Sequence, residues 1–448
     1  MKQTNSKFFE FILSFHKKII ELPSVLILGL TSLFCVLFWY VFFGVINRGD
    51  FVFFTDSISY FTPQTIDLYR PPIYPMFLRL VQYFSPDNLI RNVILIQHIV
   101  YFLSIIPFFF LSKKIFKNVY LTVFSTICYG CTPFLITYNV YIIPECFSIV
   151  GSVIALYLLV AYIEYPTKWR AFLLGIGPFI LILLKPVFLL VPCMTLLFFI
   201  FRYIFVKQEK TALNLGMLGI GITTIGVVGF CGLNKAINGE FTLSKVALHN
   251  NLGNIILSGA YVDGDEEELV SLIDGASGLY TKIYTLENKF VDNYKEAFYS
   301  MPLFLQNYAT EEGIAYWLKI PDTQNYSTER LNKFVKNSQL TNTYYEYTFD
   351  RFVQMFVTRK TKYVTIAILL ELLIMLWLLL KYRKIEWVLF YSIIFTAGIF
   401  STVVIGAIGW GARLIAPAYP FIIIVIVYLV AKALFLPFNK DYYLKNIA

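Results

Sequence analysis

The stretch DSISYFTPQTIDLYRPPIYP, residues 56–75, places the carboxylate of Asp56 and the guanidinium of Arg70 in one polar loop between long apolar runs. A carboxylate held beside a reacting hydroxyl acts as a general base. A guanidinium grips a phosphate through two parallel N–H donors. Pro63, Pro71, Pro72 and Pro75 restrict the backbone around both groups. Tyr60 and Tyr74 in the same stretch, and His98 beyond it, are candidate substrate-binding residues. The bland alternatives are a helix N-cap for Asp56 and a headgroup anchor for Arg70.

Further charged groups stand at the ends of apolar runs. Glu145 opens one run, Lys185 lies between two, and Arg413 precedes the last. A partly buried carboxylate costs energy unless it is paired, and Lys185 and Arg413 are available cations. Each can also hold a phosphate, or simply snorkel to the interface. His98 and Glu371 fall deeper inside apolar runs. The histidine reads first as an interhelical hydrogen-bonder, and Glu371 invites a proton-relay reading. The three histidines, His16, His98 and His249, are too far apart to suggest a metal cluster. Cys128 and Cys131 have redox spacing, but all six cysteines lie in or beside apolar runs and read as packing residues.

These residues have to be positioned by helices that cross a membrane. Of 448 residues, 58% are hydrophobic and only 15% charged. Runs of about 20 apolar residues recur, each long enough to span some 30 Å of hydrocarbon. Ten spans are expected, at 24–46, 93–111, 119–137, 141–162, 171–184, 186–206, 213–232, 363–380, 387–405 and 414–436. The pair around Lys185-Pro186 competes with a single bent helix. With the N-terminus inside, the inner segments carry 18 Lys and Arg and the short outer ones six. That bias follows the positive-inside rule and puts both termini in the cytoplasm. It also accounts for the formal charge of +9 without a nucleic-acid partner.

The expected organisation is a cytoplasmic amphipathic helix at 1–22, a transmembrane region at 23–232 and an extracytoplasmic domain at 233–362. C-terminal transmembrane helices at 363–436 and a cytoplasmic tail at 437–448 complete it. The first outer loop, 47–92, belongs to the transmembrane region. Within it Ile73, Met76, Phe77, Leu80, Val81 and Phe84 recur at helical spacing. A short helix lying in the outer interface is expected there, opened by proline. The acidic run DGDEEE from Asp263 reads as a solvated turn, with a cation site as the sharper alternative. No internal repeat is evident.

The order of several segments resembles the GT-C superfamily of membrane glycosyltransferases, especially the bacterial aminoarabinose, dolichyl-phosphomannose-type and rhizobial lipopolysaccharide transferases. The segments are Asp56 followed by RPPIYPMFLRLVQ, then VILIQHIVYFLSIIPFFFLSKKIFKN, YNVYIIPECFSIV, LLKPVFLLVP, LNKAINGEFTLS and GARLIAPAYPFIIIV. They cover about 24–250 and 386–436. The Lys185-Pro186 pair stands where the family usually has Arg-Pro. Within the segments that carry the resemblance no Asp-x-Asp pair is found; no cofactor is expected to be required, and a divalent cation is possible but not supported by motif.

The resemblance implies a polytopic α-helical membrane protein of about ten transmembrane helices, GT-C-like, with an outer interfacial helix and an extracytoplasmic α/β or mixed domain. It implies a polyprenyl-phosphate sugar donor, a lipid-linked or surface glycan acceptor, and an active site on the outer face of the cytoplasmic membrane. Asp56 is then the catalytic base, with Glu145 orienting the acceptor or assisting. Arg70, Lys185 and Arg413 bind the donor phosphate. The alternatives are a polyprenyl-diphosphate-dependent polymerase or ligase, and a transporter or flippase. The second would distribute polar residues along several spans, whereas here they gather at one face.

Overall fold

The computed structural model describes residues 22–46, 60, 66, 70–205, 210–244, 251, 328–357, 373, 387–406 and 416–435. Asp56, Arg413, Glu371, the acidic run, the expected N-terminal amphipathic helix at 1–21, the span at 363–380 apart from residue 373, and the C-terminal tail lie outside them. So does most of 233–362. The described part of that segment, from 328 on, is a pair of helices.

Among the described residues, six helical stretches are long and apolar enough to cross a bilayer: Ser24–Val41, Pro86–Phe116, Val119–Val140, Glu145–Glu164, Pro186–Phe205 and Ala212–Asn238. In chain order the helices are α1 (Ser24–Ile46), α2 (Ile73–Phe84), α3 (Leu89–Leu103), α4 (Ile105–Phe116), α5 (Val119–Gly130), α6 (Pro133–Thr137) and α7 (Glu145–Glu164). They continue with α8 (Lys168–Leu184), α9 (Val191–Phe205), α10 (Lys210–Asn238), α11 (Thr328–Gln339), α12 (Asn342–Val357), α13 (Trp387–Gly406) and α14 (Tyr419–Phe435). Helices α8, α13 and α14 fall at three more of the expected spans. The fold is that of a polytopic helical membrane protein.

Local chemistry sets the boundaries. Lys117 closes α4 in the left-handed region, at φ 50°. Asn118 then caps α5, its side-chain oxygen accepting from the backbone N–H of Tyr120 and Leu121. Pro186 disfavours helical backbone at Lys185, which is extended, so α8 stops there and a 3-10 turn, Pro186–Leu190, leads into α9. The single bent helix is therefore interrupted at the basic residue.

Packing brings distant parts of the chain together. Helix α7 lies against α3, α4, α8 and α14, and against the 3-10 turn Ala416–Ala418. Helices α8 and α10 cross closely because Gly175 and Gly219 lack side chains. A Cβ on Gly175 would sit 2.5 Å from the Gly219 carbonyl oxygen, and one on Gly219 would sit 2.8 Å from that of Ala171. Thr223 adds a hydrogen bond to the Gly175 carbonyl at 2.7 Å. Small residues that admit close backbone approach are the usual glue between helices in lipid.

One end of α7 is marked by cations. Lys114 pairs with Glu164, and Lys113 donates to Ser24 Oγ at 2.6 Å. The ends of α4 and α7 thus meet the start of α1. Glu145 is at the other end of α7, about 28 Å away at 1.5 Å per residue.

Helix α2 forms where the apolar periodicity places it. Its buried face is Tyr74, Leu78 and Val81. Of the apolar stripe read from the sequence, Met76, Leu80 and Phe84 are exposed, at 50%, 57% and 76%. Val81 of the stripe is buried and Ile73 and Phe77 pack against the core, so the stripe is divided between the protein and the outside, which suits a helix resting in an interface with lipid on one side and protein on the other.

Candidate functional site

The segment Tyr138-Asn-Val-Tyr-Ile-Ile-Pro-Glu145 turns the chain into α7. Pro144 enters the helix with no N–H to satisfy, and Glu145 occupies the first turn, where the helix dipole favours negative charge. Glu145 is only 2% exposed. Lys185, 7% exposed at the break between α8 and its 3-10 turn, donates to Glu145 Oε1 at 3.1 Å. The lysine is therefore buried against a carboxylate rather than extended to headgroups. Burying two charges is costly, and the attraction between them offsets this only at close range with additional hydrogen bonds.

A second cluster surrounds Arg70, just before α2. Arg70 is 7% exposed. Its guanidinium lies over the Tyr60 ring, 4.6 Å from the centroid, and donates to the Tyr60 hydroxyl at 3.5 Å. The Tyr60 ring meets that of Tyr74 edge-on at 5.1 Å. Tyr74 is fully buried, and its hydroxyl donates to Gln97 Oε1 at 2.9 Å. Burial pushes the Tyr74 phenol well above its ordinary pKa, with smaller contributions from Tyr60, Cys146 and Glu145. The hydroxyl is thus a fixed donor at neutral pH.

Gln97 joins the two clusters. Its Nε2 donates to the carbonyls of Asn139 and Tyr141, both at 2.9 Å. Its own carbonyl accepts from Cys146 Sγ at 3.2 Å. Phe147, two residues after Glu145, packs on Tyr74 at 6.0 Å and on Phe77 at 4.8 Å. The interfacial helix α2 is thereby docked on the start of α7. Sequence reasoning chose His98 and passed over its neighbour Gln97. The signal was present, since Gln97 is an amide in an otherwise apolar run.

His98 takes another direction. Its Nδ1 lies 2.8 Å from the Ile94 carbonyl of its own helix, and its ring packs on Trp39 of α1 at 4.5 Å. Arg413 precedes by three residues the buried turn Ala416–Ala418, which packs on α7. Tyr419, just after that turn, lies 4.7 Å from Phe134 of α6. Asn238, at the end of α10, donates to the Ile66 carbonyl at 3.3 Å and so ties the segment before α2 to the start of the long polar segment. Among the described residues, no group of three His, Cys, Asp or Glu side chains is arranged to hold a metal ion.

No protein-family model matches this sequence, and no curated protein matches it. The fold does match solved structures. It resembles the oligosaccharyltransferase of Archaeoglobus fulgidus in its apo form, with TM-score 0.53 and 12% identity over 95% of this chain. It also resembles that enzyme, named AglB, in complex with an inhibitory peptide and a dolichol-phosphate, with TM-score 0.50 and 14% identity. A complex of the same enzyme with Zn and sulfate matches with TM-score 0.51 over 93% of this chain. This chain spans about half the length of those proteins, 50–52%. At 12–14% identity, what is shared with these proteins is the fold.

Proposed function

We infer that this protein is a membrane glycosyltransferase that moves a sugar from a polyprenyl-phosphate donor to an acceptor hydroxyl on the extracytoplasmic face. The observation that carries the reading is the meeting of the buried Glu145–Lys185 pair with the Arg70–Tyr60–Tyr74 cluster, at the end of α7 remote from its cationic end. The archaeal neighbour's complex with a dolichol-phosphate supports a lipid-phosphate leaving group.

In this reading Asp56 takes the proton of the acceptor hydroxyl. The acceptor oxygen attacks the anomeric carbon from the face opposite the phosphate. The carbon–oxygen bond to the phosphate breaks, polyprenyl phosphate leaves, and the anomeric configuration inverts. Arg70, Lys185 and Arg413 stabilise the charge that grows on the departing phosphate. Glu145 holds Lys185 in place and helps orient the acceptor.

The arrangement in the membrane has ten spans, both termini in the cytoplasm and an outer domain over 233–362 that closes on the site and selects the acceptor. The membrane is the cytoplasmic one. A donor with a diphosphate would use the same cations and differ in the lipid released.

The test compares surface glycans by mass spectrometry in cells with and without the gene, together with the sugar lipids that accumulate. Loss of one sugar from the glycan and build-up of its polyprenyl monophosphate carrier are expected. Unchanged glycans and carriers would overturn the reading. Build-up of a diphosphate carrier would replace it with the polymerase or ligase alternative.

A further inference from the structure

We propose that Gln97 is a positioning residue for donor binding, acting through Tyr74 and Tyr60 to hold the Arg70 guanidinium where the donor's phosphate arrives. The inference rests on the proposed function and adds to it a residue from inside the bundle. Gln97 is fully buried, and both its side-chain oxygen and nitrogen are hydrogen-bonded. Oε1 accepts from the Tyr74 hydroxyl, and Nε2 donates to two carbonyls of the 138–141 turn.

The geometry gives this residue leverage over Arg70. The Tyr74 hydroxyl is anchored by Gln97, and the Tyr74 ring supports Tyr60 edge-on at 5.1 Å. Tyr60 in turn meets the guanidinium with both its ring face and its hydroxyl. The guanidinium is planar, so its two-point grip on a phosphate depends on orientation as well as distance. Tilting Tyr74 therefore turns the fork without removing the charge. The same amide clamps the turn that leads to Glu145, so the plane of Arg70 and the start of α7 share one reference point.

Glutamate cannot replace Gln97 in this role. Gln97→Glu would remove the donor to both carbonyls and set a second carboxyl close to Glu145. Tyr74→Phe is the cleaner change. It removes one hydroxyl, keeps the ring that packs on Tyr60 and Phe147, and leaves the Gln97 clamp on the turn intact.

The test uses the purified full chain in phosphatidylcholine nanodiscs, with undecaprenyl phosphate as the probe and a fluorescent polyprenyl-phosphate analogue as reporter. Tyr74→Phe is expected to weaken binding about five- to tenfold, the worth of one neutral hydrogen bond. Its melting temperature should stay close to that of the wild type. Gln97→Leu should weaken binding at least as much, and adding Tyr74→Phe to it should weaken binding no further. Equal affinity in Tyr74→Phe and wild type, or additive losses in the double variant, would overturn the relay alone. Absence of saturable wild-type binding would overturn the proposed function and the relay together. Equal displacement of the reporter by dioleoyl phosphatidate would make Arg70 a general headgroup anchor and overturn its assignment to the donor.

Discussion

The Glu145–Lys185 pair allows a test in which stability and chemistry separate. At 3.1 Å and an effective dielectric constant of about 20, the attraction between the charges is about 5 kcal/mol. Their side chains are only 3% and 9% exposed, so solvent screens little of it. Removing one partner leaves the other charge buried, which costs about 3–5 kcal/mol. Lys185→Met and Glu145→Gln should each destabilise the protein by an amount of that order. The double variant should lose less than the sum, with a coupling of about 2–3 kcal/mol. The assay is denaturant unfolding in mixed micelles for all four corners of the cycle, run beside sugar transfer. The double variant is expected to recover much of its stability and none of its transfer, because a neutral pair cannot stabilise a departing phosphate. Additive stability losses would refute the coupling. Recovery of transfer in the double variant would reduce the pair to a structural device.

Asp56→Asn should abolish transfer while leaving expression and membrane insertion unchanged; normal turnover in a cell-free assay would remove Asp56 from the role of base. Lys185→Arg should keep more transfer than Lys185→Met, since charge is retained at the position where the resembling family has arginine; equal loss in both would show that shape at this buried site matters more than charge. Gly175→Val should weaken the α8–α10 crossing by several kcal/mol, because even a Cβ lies 2.5 Å from the Gly219 carbonyl oxygen, and size-exclusion recovery after mild heating reads the loss. The Tyr74 phenol is held above its unfolded value, so the unfolded chain releases that proton first as the solution turns alkaline. Stability should therefore be flat with respect to Tyr74 below about pH 10 and fall above it. The fall should be smaller in Tyr74→Phe, and an identical alkaline profile would count against this origin.

The sequence by itself determined which segments are helical and where several of them end. Apolar runs of membrane length mark α1, α7 and α10, and the periodicity of 73–84 coincides with α2 residue for residue. Pro186 foretells the break at Lys185, because the clash between proline and the preceding residue is local and needs no partner. Charge at span ends nominated Glu145 and Lys185 separately. Only the tertiary structure decided that they pair, since 40 residues separate them and periodicity carries no information about which helix lies beside which. The same holds for Tyr74 with Gln97 and for Asn238 with Ile66. In α2 the apolar stripe coincides with the buried face only in part: Val81 is buried, while Met76, Leu80 and Phe84 are exposed. A helix at a membrane border has apolar surroundings on two sides, so hydrophobicity alone does not distinguish lipid from core, and the packing of Tyr74 and Leu78 against the bundle settles the orientation.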